Sequence, residues 1–233
     1  MVAKRVAIVQ SSYIPWKGYF DLIASADEFV LLDEVQYTKR DWRSRNRIKT
    51  ANGPLWLSVP VEVKGRYEQR MCDTRVADRQ WAEKHWRTIR ASYARAPHFR
   101  RYQDELECLF TDALHDRLSD VNHALIAGLC RILGIGTPLT WSMDYKAEGD
   151  RTGRLVSICR QAGATEYLSG PAAKTYIDEA QFSAAGITVM YADYSRYPEY
   201  PQLYPPFDHH VTVIDLLVHT GSEARTFMTG CVS

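Results

Sequence analysis

The chain has 233 residues, of which 45% are hydrophobic and 24% are charged, and its formal net charge is +1. This composition is typical of a globular protein, and a non-specific nucleic-acid binder usually carries a larger basic excess. No apolar run approaches the ~18 residues of a membrane-spanning helix, and no apolar segment of a signal peptide precedes the first predicted strand. We therefore expect neither a nucleic-acid partner nor membrane attachment.

The cysteine and histidine patterns indicate a cytoplasmic protein without a metal site. The five cysteines are odd in number, widely spaced and form no Cys-x-x-Cys pair, which favours reduced thiols. No His-x-x-x-His or His-Glu-x-x-His pattern occurs, and adjacent His209 and His210 make a poor chelating pair, so we predict no protein metal site. A catalytic role for either histidine stays open, and the sequence identifies no cofactor.

The first part of the chain predicts a strand-helix-strand unit. Val6–Gln10 is a short apolar run that is typical of a buried parallel strand. Apolar residues at helical spacing follow from Tyr19, and Phe29–Leu32 is a second buried run. Such a unit is right-handed by default.

A hairpin and a helical segment follow. Asn52-Gly53 separates two strand-like runs, 47–50 and 55–61, which predicts a hairpin with a type I′ turn. A short strand is expected around Met71–Val76. Three amphipathic patterns then predict a three-helix insertion at about 78–136.

The α/β alternation returns in the last hundred residues. Predicted strands alternate with predicted helices in the order strand 139–143, helix 149–162, strand 166–168, helix 176–185, strand 187–192 and helices 211–219 and 223–228. We therefore expect a single α/β domain over residues 1–233, with a mostly parallel Rossmann-like sheet, a β-hairpin and the helical insertion. The order of the strands stays open.

The turn after the first strand is the first candidate site. Ligands of parallel sheets bind beyond the carboxyl ends of the strands, and this turn carries Gln10, Tyr13, Trp16 and Lys17. Lys17 and the following helix N-terminus would favour an anion. The alternative is that these residues only shape a turn and cap the core. No Gly-x-Gly-x-x-Gly or Walker A pattern occurs, so neither nucleotide fingerprint is supported.

The second candidate site follows the second strand. Asp33 comes directly after the apolar run, in a position typical of catalytic or ribose-binding carboxylates, and Gln36 and Tyr37 follow it. The next segment offers groups that bind phosphate or carboxylate and aromatic rings that pack on a ligand, namely Trp42, Arg43, Arg45, Asn46 and Arg47. The alternative is a solvated basic loop.

A third candidate site lies at Ser169-Gly170-Pro171. A predicted strand ends here, and the next helix is expected to carry Lys174 in its first turn and Tyr176 after it. Ser169, the Gly170 N–H and Lys174 could together hold an anion, although an ordinary proline-started helix explains the same pattern. If this turn lies beside the first, one phosphorylated ligand could bridge them.

These stretches together resemble the WbqC-like family over nearly the full length of the chain. The matching segments are Gln10–Phe20, Ala26–Tyr37, Trp42–Ile48, Trp56–Pro60, Tyr167–Gly170 with Lys174 and Tyr176, and Ile214–Leu217 with Gly221. The chain departs from the family at Ser11, where proline is usual, and this change is expected to loosen the first turn.

The resemblance implies a bacterial context but no secure reaction. Family members occur among bacterial genes for O-antigen, other surface polysaccharides and specialised metabolites. The first half-sheet also looks like that of adenylate-forming and nucleotidyl-transferring enzymes. Those enzymes carry paired histidines in the turn after the first strand, which this chain lacks, and adenylyl transfer by that mechanism is therefore in doubt.

The sequence leaves the enzymatic character open but favours a cytoplasmic transferase. It would deliver an acyl or aminoacyl group to an amine of a small anionic, phosphorylated or nucleotide-linked metabolite. Asp33 is the predicted general base, with Lys17 and Tyr13 as further catalytic candidates. The alternatives are an ATP-dependent amide ligase or nucleotidyltransferase-like enzyme, and a non-catalytic binding protein of a biosynthetic complex. The oligomeric state is not predicted.

Overall fold

The computed structural model describes residues 3–228 and contains a five-stranded parallel sheet and a separate antiparallel hairpin. The strands are β1 (Arg5–Val9), β2 (Glu28–Leu31), β3 (Arg45–Thr50), β4 (Gly53–Ser58), β5 (Leu139–Trp141), β6 (Glu166–Ser169) and β7 (Thr188–Tyr191). The helices are α1 (Lys17–Ala24), α2 (Trp81–Tyr93), α3 (Phe99–Asp112), α4 (Leu118–Leu133), α5 (Arg151–Gln161), α6 (Glu179–Ala184) and α7 (Val213–Thr220). The predicted fold class is confirmed.

The parallel sheet has the strand order β5-β2-β1-β6-β7. The chain runs outward from β1 through β2 to β5, and α5 then returns it to β6 on the other side of β1. The order therefore reverses between β1 and β6. Adjacent loops diverge at such a switch point and open a crevice beyond the carboxyl ends of the strands, where ligands of open α/β sheets bind.

Helices cover both faces of the sheet, and successive residues of β1 accordingly point into two different cores. Ala7 lies in the larger core, which also contains apolar residues of α1, α2, α3, α4 and α7. Val6 and Ile8 lie in the smaller core, which contains residues of α5 and α6. The three-helix segment therefore shares the larger core with the sheet.

The hairpin is confirmed, but its turn differs from the prediction. Thr50 pairs with Gly53, whose φ is 99°. Type I′ turns need positive φ at both central residues. Among the described non-glycine residues only Ile14 and Arg40 have positive φ, so Asn52 does not meet this requirement and the type I′ prediction is wrong.

Two further local predictions are also wrong. The segment around Met71–Val76 forms a 3₁₀ turn at Met71–Asp73 and an isolated bridge from Val76 to Val61, because this polar segment pairs with loops and not with a sheet. The residues after β6 form a separate 3₁₀ turn at Pro171–Thr175, and α6 begins only after its cap, Asp178. Lys174 therefore lies within this 3₁₀ turn and does not begin a helix.

The burial of the cysteines and the length of the apolar helices can be compared with the expectations of reduced thiols and no membrane attachment. Cys72, Cys130 and Cys159 are buried free thiols and Cys108 is exposed, whereas Cys231 lies outside the described residues. Burial raises the pKa of the Cys130 thiol to about 12, so this thiol stays protonated and unreactive near neutral pH. Between residues 3 and 228 the structure contains no helix of the length and apolarity required to cross a bilayer.

Two glycines after α4 offer a matched test of the helix end. Gly134 caps α4 with φ 67°, whereas a Cβ on Gly136 would meet no atom and φ there is not positive. We expect Gly134→Ala to lower the free energy of unfolding by about 1 kcal/mol, because alanine is strained in the left-handed conformation. Gly136→Ala should leave it within about 0.5 kcal/mol of the wild type. Urea denaturation measures both, and equal effects would contradict this account of the helix end.

Candidate functional site

Two cavities open at the carboxyl ends of β1 and β6, one toward each face of the sheet. The apolar cavity, whose lining includes two tryptophans and two tyrosines, has a volume of about 330 Å³. The polar cavity, which contains three arginines, has a volume of about 600 Å³. Val9, Arg43 and Gly170 line both cavities. The two cavities therefore meet at the switch point of the sheet.

The apolar cavity is built around Trp16. Its indole ring lies 4.9 Å from the Tyr194 ring in a T-shaped arrangement and 5.5 Å from the His210 ring in a stacked one, measured between centroids. Gly18 permits this position, since a Cβ there would lie 2.3 Å from Trp16 Cζ2. The complete lining is Val9, Ser12, Pro15, Trp16, Tyr19, Leu22, Trp42, Arg43, Asn46, Gly170, Tyr194 and His210.

The two adjacent histidines have different environments. The His210 ring lines the apolar cavity, and its Nδ1 lies 3.6 Å from Asp208 Oδ1. The His209 ring packs against Phe207, and burial, followed by the charge of Lys17, lowers the pKa of His209. Within residues 3–228, no three His, Cys, Asp or Glu side chains come together as a potential metal site.

The polar cavity lies at the N-terminus of α5. Arg151 and Arg154 line it from the first two turns of this helix, opposite Ser169 at the end of β6. Asp150 caps the helix by accepting a hydrogen bond from the Gly153 N–H at 2.7 Å. Free N–H groups and the helix dipole make such an end favourable for anions.

The residues that line the polar cavity carry more positive than negative charge. Arg154 Nη2 lies 2.5 Å from Glu34 Oε1, and its buried Nε has no hydrogen-bond partner among the described residues. The Arg151 guanidinium stacks over the Tyr176 ring at 3.7 Å. Arg43 adds a third cation, whereas Asp150 is the one carboxylate among the described lining residues. The cavity is therefore suited to an anionic ligand.

Arg43 stands where the two cavities meet. Its Nη1 donates hydrogen bonds to Ser12 Oγ at 2.8 Å and to the Gln10 carbonyl oxygen at 3.3 Å. Its Nε is buried and has no hydrogen-bond partner in the described part of the chain, although Asp41 Oδ2 lies 3.9 Å away. The guanidinium is thus held in place while part of its donor capacity is unused.

Asp33 is a buried structural centre. Its side chain is 0% exposed, and it accepts hydrogen bonds from the Ser11 N–H at 2.8 Å and from the hydroxyls of Ser11 and Ser119 at 2.7 Å each. Burial raises the pKa of Asp33, and these hydrogen bonds oppose the increase. Asp33 lines neither cavity, so its carboxylate is placed to hold the first turn together.

A buried amide extends this network to Arg43. Asn122 Nδ2 donates to Ser11 Oγ at 3.0 Å and to the Arg43 carbonyl oxygen at 2.9 Å. The first turn is therefore tied to α4 and to the segment that enters β3. The expectation that Ser11 loosens this turn is wrong, because its N–H and hydroxyl both bind Asp33 and a proline would offer neither.

Asn46 ties the hairpin to the same turn. Its Nδ2 donates to the carbonyl oxygens of Ile14 at 2.8 Å and Tyr13 at 3.2 Å. The Tyr13 hydroxyl lies 2.7 Å from His85 Nδ1 in the core. Tyr13 is fully buried and belongs to the packing between this turn and α2.

Lys17 is buried and directed away from both cavities. Its side chain is 2% exposed, its Nζ donates to the Pro198 carbonyl oxygen at 3.1 Å, and it lies 4.8 Å from the Tyr197 ring centroid. Burial lowers the pKa of Lys17 to about 8, which the nearby Asp21 carboxylate opposes. Lys17 therefore fastens the 194–207 loop onto α1.

The structure divides the predicted site residues into two groups. Those that line a cavity are Gln10, Trp16, Trp42, Arg43, Asn46, Ser169, Gly170 and Tyr176. Those that line neither are Tyr13, Lys17, Asp33, Gln36, Tyr37, Arg45, Arg47 and Lys174.

The second group has other contacts. Gln36 donates to the Tyr67 carbonyl oxygen, and the Tyr37 hydroxyl bonds Ser44. Arg45 stacks on Trp56 at 4.2 Å, on the exposed face of the hairpin.

Sequence reasoning missed two of the three cationic groups of the polar cavity. Arg151 and Arg154 follow Gly149-Asp150 at the start of a helix, and that helix follows a strand of the parallel sheet. A helix that follows a strand begins at the carboxyl edge, so arginines in its first turns are a usable signal. Tyr194 was also missed, because it lies in a loop whose path no local pattern predicts.

Comparisons with known proteins found a matching family model and a similar bacterial protein. A model of the WbqC-like protein family matches residues 10–227. The chain is also similar to the Uncharacterized protein Rv1507c of Mycobacterium tuberculosis, with 47% identity over 228 residues that cover 98% of this chain and 99% of that protein. No solved structure matches the chain. The family resemblance expected from the motifs is confirmed.

Asp33→Asn tests the structural role of this carboxylate. Asparagine cannot accept all three hydrogen bonds that reach Asp33, so buried donors lose their partner. We expect the free energy of unfolding to fall by at least about 2 kcal/mol, whereas Ser119→Ala, which removes one donor, should cost about 1 kcal/mol. Chemical denaturation measures both variants. Equal effects for the two would contradict the central role of Asp33.

Lys17→Met tests the buried amine. The pKa of Lys17 in the folded protein, about 8, lies below the ordinary lysine value of 10.5. Between pH 8 and pH 10.5 the unfolded chain therefore binds more protons than the folded protein, and the free energy of unfolding rises with pH. We expect the wild type to gain about 2 kcal/mol relative to Lys17→Met between pH 7 and pH 10. Denaturation of both proteins at the two pH values gives this difference, and a difference independent of pH would show that the pKa of Lys17 is ordinary.

Proposed function

We propose a function for this chain from one premise: it belongs to the WbqC-like protein family. The chain acts as a transferase that delivers an acyl or aminoacyl group to an amine of a phosphorylated or nucleotide-linked metabolite. This reaction would serve the biosynthesis of a polysaccharide or a specialised metabolite. The proposal rests on a single observation: the apolar cavity and the arginine-lined polar cavity meet at Arg43.

Two cavities of different chemistry suit a reaction with two substrates. The polar cavity, with Arg151 and Arg154, would hold the anionic end of the acceptor, and charge-assisted hydrogen bonds to arginine are the strong kind. The apolar cavity would hold the group to be transferred. Binding the two at adjacent positions converts an encounter in solution into a reaction between held partners.

The proposed step forms an amide. The acceptor amine attacks the acyl carbonyl carbon, the new carbon–nitrogen bond forms, and the bond from that carbon to the donor's leaving group breaks. The leaving group takes the proton that the amine gives up. Negative charge develops on the carbonyl oxygen during attack, and Arg43, which lines both cavities, is the group that would stabilise it.

Asp33 has a positioning role in this proposal. Its oxygens are occupied by Ser11 and Ser119, and it does not line a cavity. It would act by fixing the turn that carries Ser12, which accepts a hydrogen bond from Arg43. Proton removal from the amine therefore does not require direct contact with Asp33.

An ATP-dependent ligase or nucleotidyltransferase-like enzyme is the second candidate. One observation favours it: the polar cavity has a volume of about 600 Å³ and three arginines, enough room and charge for a nucleotide. Titration with ATP distinguishes the two. The ligase requires ATP to bind in the polar cavity, whereas the transferase requires only a phosphorylated amine there. A binding protein without catalysis would bind either ligand and release no product.

Binding of O-phosphoethanolamine, a small phosphorylated amine, tests the anion site. We expect it to raise the Tm of the wild type and Arg154→Gln to weaken binding by at least about tenfold, the effect of losing one charge-assisted hydrogen bond. Arg160→Gln is the matched control, since Arg160 lies on the same helix but lines neither cavity. Calorimetric titration measures the affinities. Equal losses for the two variants would contradict the anion site.

A further inference from the structure

The chemistry of the apolar cavity indicates which group it receives. We propose that this cavity binds the hydrocarbon chain or ring of an apolar acyl donor, with the acyl carbonyl end at Arg43. The inference deepens the proposed function, because it chooses an apolar acyl group over an aminoacyl group. It rests on the cavity's lining, charge and rigidity.

Charge decides between the two kinds of group. Aromatic walls such as Trp16 and Tyr194 could in principle attract a cation. Arg43, however, lines the same cavity, and none of its described lining residues is Asp or Glu. Two carboxylates behind this lining, Asp41 and Asp208, already lie 3.9 Å from Arg43 Nε and 3.6 Å from His210 Nδ1. The ammonium of an aminoacyl group would therefore lie near a guanidinium with no carboxylate in the cavity wall to pair with it, which is unfavourable in a partly desolvated site. An uncharged hydrocarbon group meets no such cost.

The other polar groups of the cavity are mostly engaged. Asn46 Nδ2 binds two backbone carbonyl oxygens, and its Oδ1 accepts from the Arg47 N–H at 2.7 Å. Ser12 Oγ accepts from Arg43. The hydroxyl of Tyr19 donates to the Gln10 carbonyl oxygen at 3.1 Å. What these walls offer to a ligand is mainly carbon surface, with Arg43 at one end.

The walls are held in place before any ligand enters. Trp16 is confined between Gly18 below it and the rings of Tyr194 and His210 beside it. The Tyr13–Ile14 backbone behind it is fixed by Asn46. A preformed apolar cavity gains affinity for each methylene that it removes from water, until no space is left.

A series of straight-chain alkanoates, from butanoate to dodecanoate, tests the inference on the unmodified protein. The carboxylate stands in for the acyl carbonyl end and the chain for the transferred group. We expect affinity to rise about fourfold per methylene, the equivalent of about 0.8 kcal/mol, and then to stop rising once the cavity is full. Calorimetry or quenching of tryptophan fluorescence reports binding. Affinity that is independent of chain length, or that rises without a plateau, would overturn the proposal.

Two variants locate the chain, and a second probe tests the charge argument. Leu22→Phe narrows the apolar cavity and should move the plateau to a shorter alkanoate, while Leu32→Phe, which lines only the polar cavity, should leave it unchanged. Octylammonium should bind at least about tenfold more weakly than nonanoate of similar length, given the charge of Arg43. Equal or tighter binding of octylammonium would overturn the choice of an acyl group.

The outcomes separate this inference from the proposed function. If O-phosphoethanolamine binds and the alkanoates do not, the apolar acyl group is wrong and the anion site remains. If the alkanoates show the rise and plateau and O-phosphoethanolamine does not bind, the apolar cavity is as inferred and the two-substrate transferase is wrong.

Discussion

The buried carboxylate of Asp33 is the constraint on which the candidate site depends. It receives hydrogen bonds from Ser11 and Ser119, and so it joins the end of β2 to the turn after β1 and to the start of α4. Asn122 carries the same network to the backbone of Arg43. A buried carboxylate is stable only when such donors surround it. Because these donors come from separate segments, the network fixes their relative positions and thereby the place of Arg43.

The fold places two different environments within reach of that one guanidinium. The reversal of strand order between β1 and β6 opens the crevice. The aromatic residues of the first turn and of the 194–207 loop face one side of it, and the N-terminus of α5 faces the other. The proposed transfer of an apolar acyl group to a phosphorylated amine follows from this separation, since each substrate half would find its matching environment and the reacting atoms would meet between them.

Sequence reasoning located the edge of the sheet but not the direction of its side chains. The apolar runs of β1 and β2 and the turn at Ser169-Gly170 predicted that Trp16, Arg43 and Gly170 follow strand ends, but whether these turns lie side by side stayed open. Nothing local showed that Asp33 and Lys17 point into the protein, because their burial depends on α4 and the 194–207 loop. The role of Arg151 depends on strand order, because strand order decides which strand ends lie beside the first turn of α5. Strand order arises from long-range packing that no short pattern encodes.

A crystal structure of the chain with octanoate and O-phosphoethanolamine bound together tests the central claim most directly. We expect the octanoate chain to lie against Trp16, the phosphate against Arg151 and Arg154, and the carboxylate and the amine to face each other at Arg43. Octanoate outside the apolar cavity, both probes in one cavity, or an Arg43 that contacts neither ligand would contradict it.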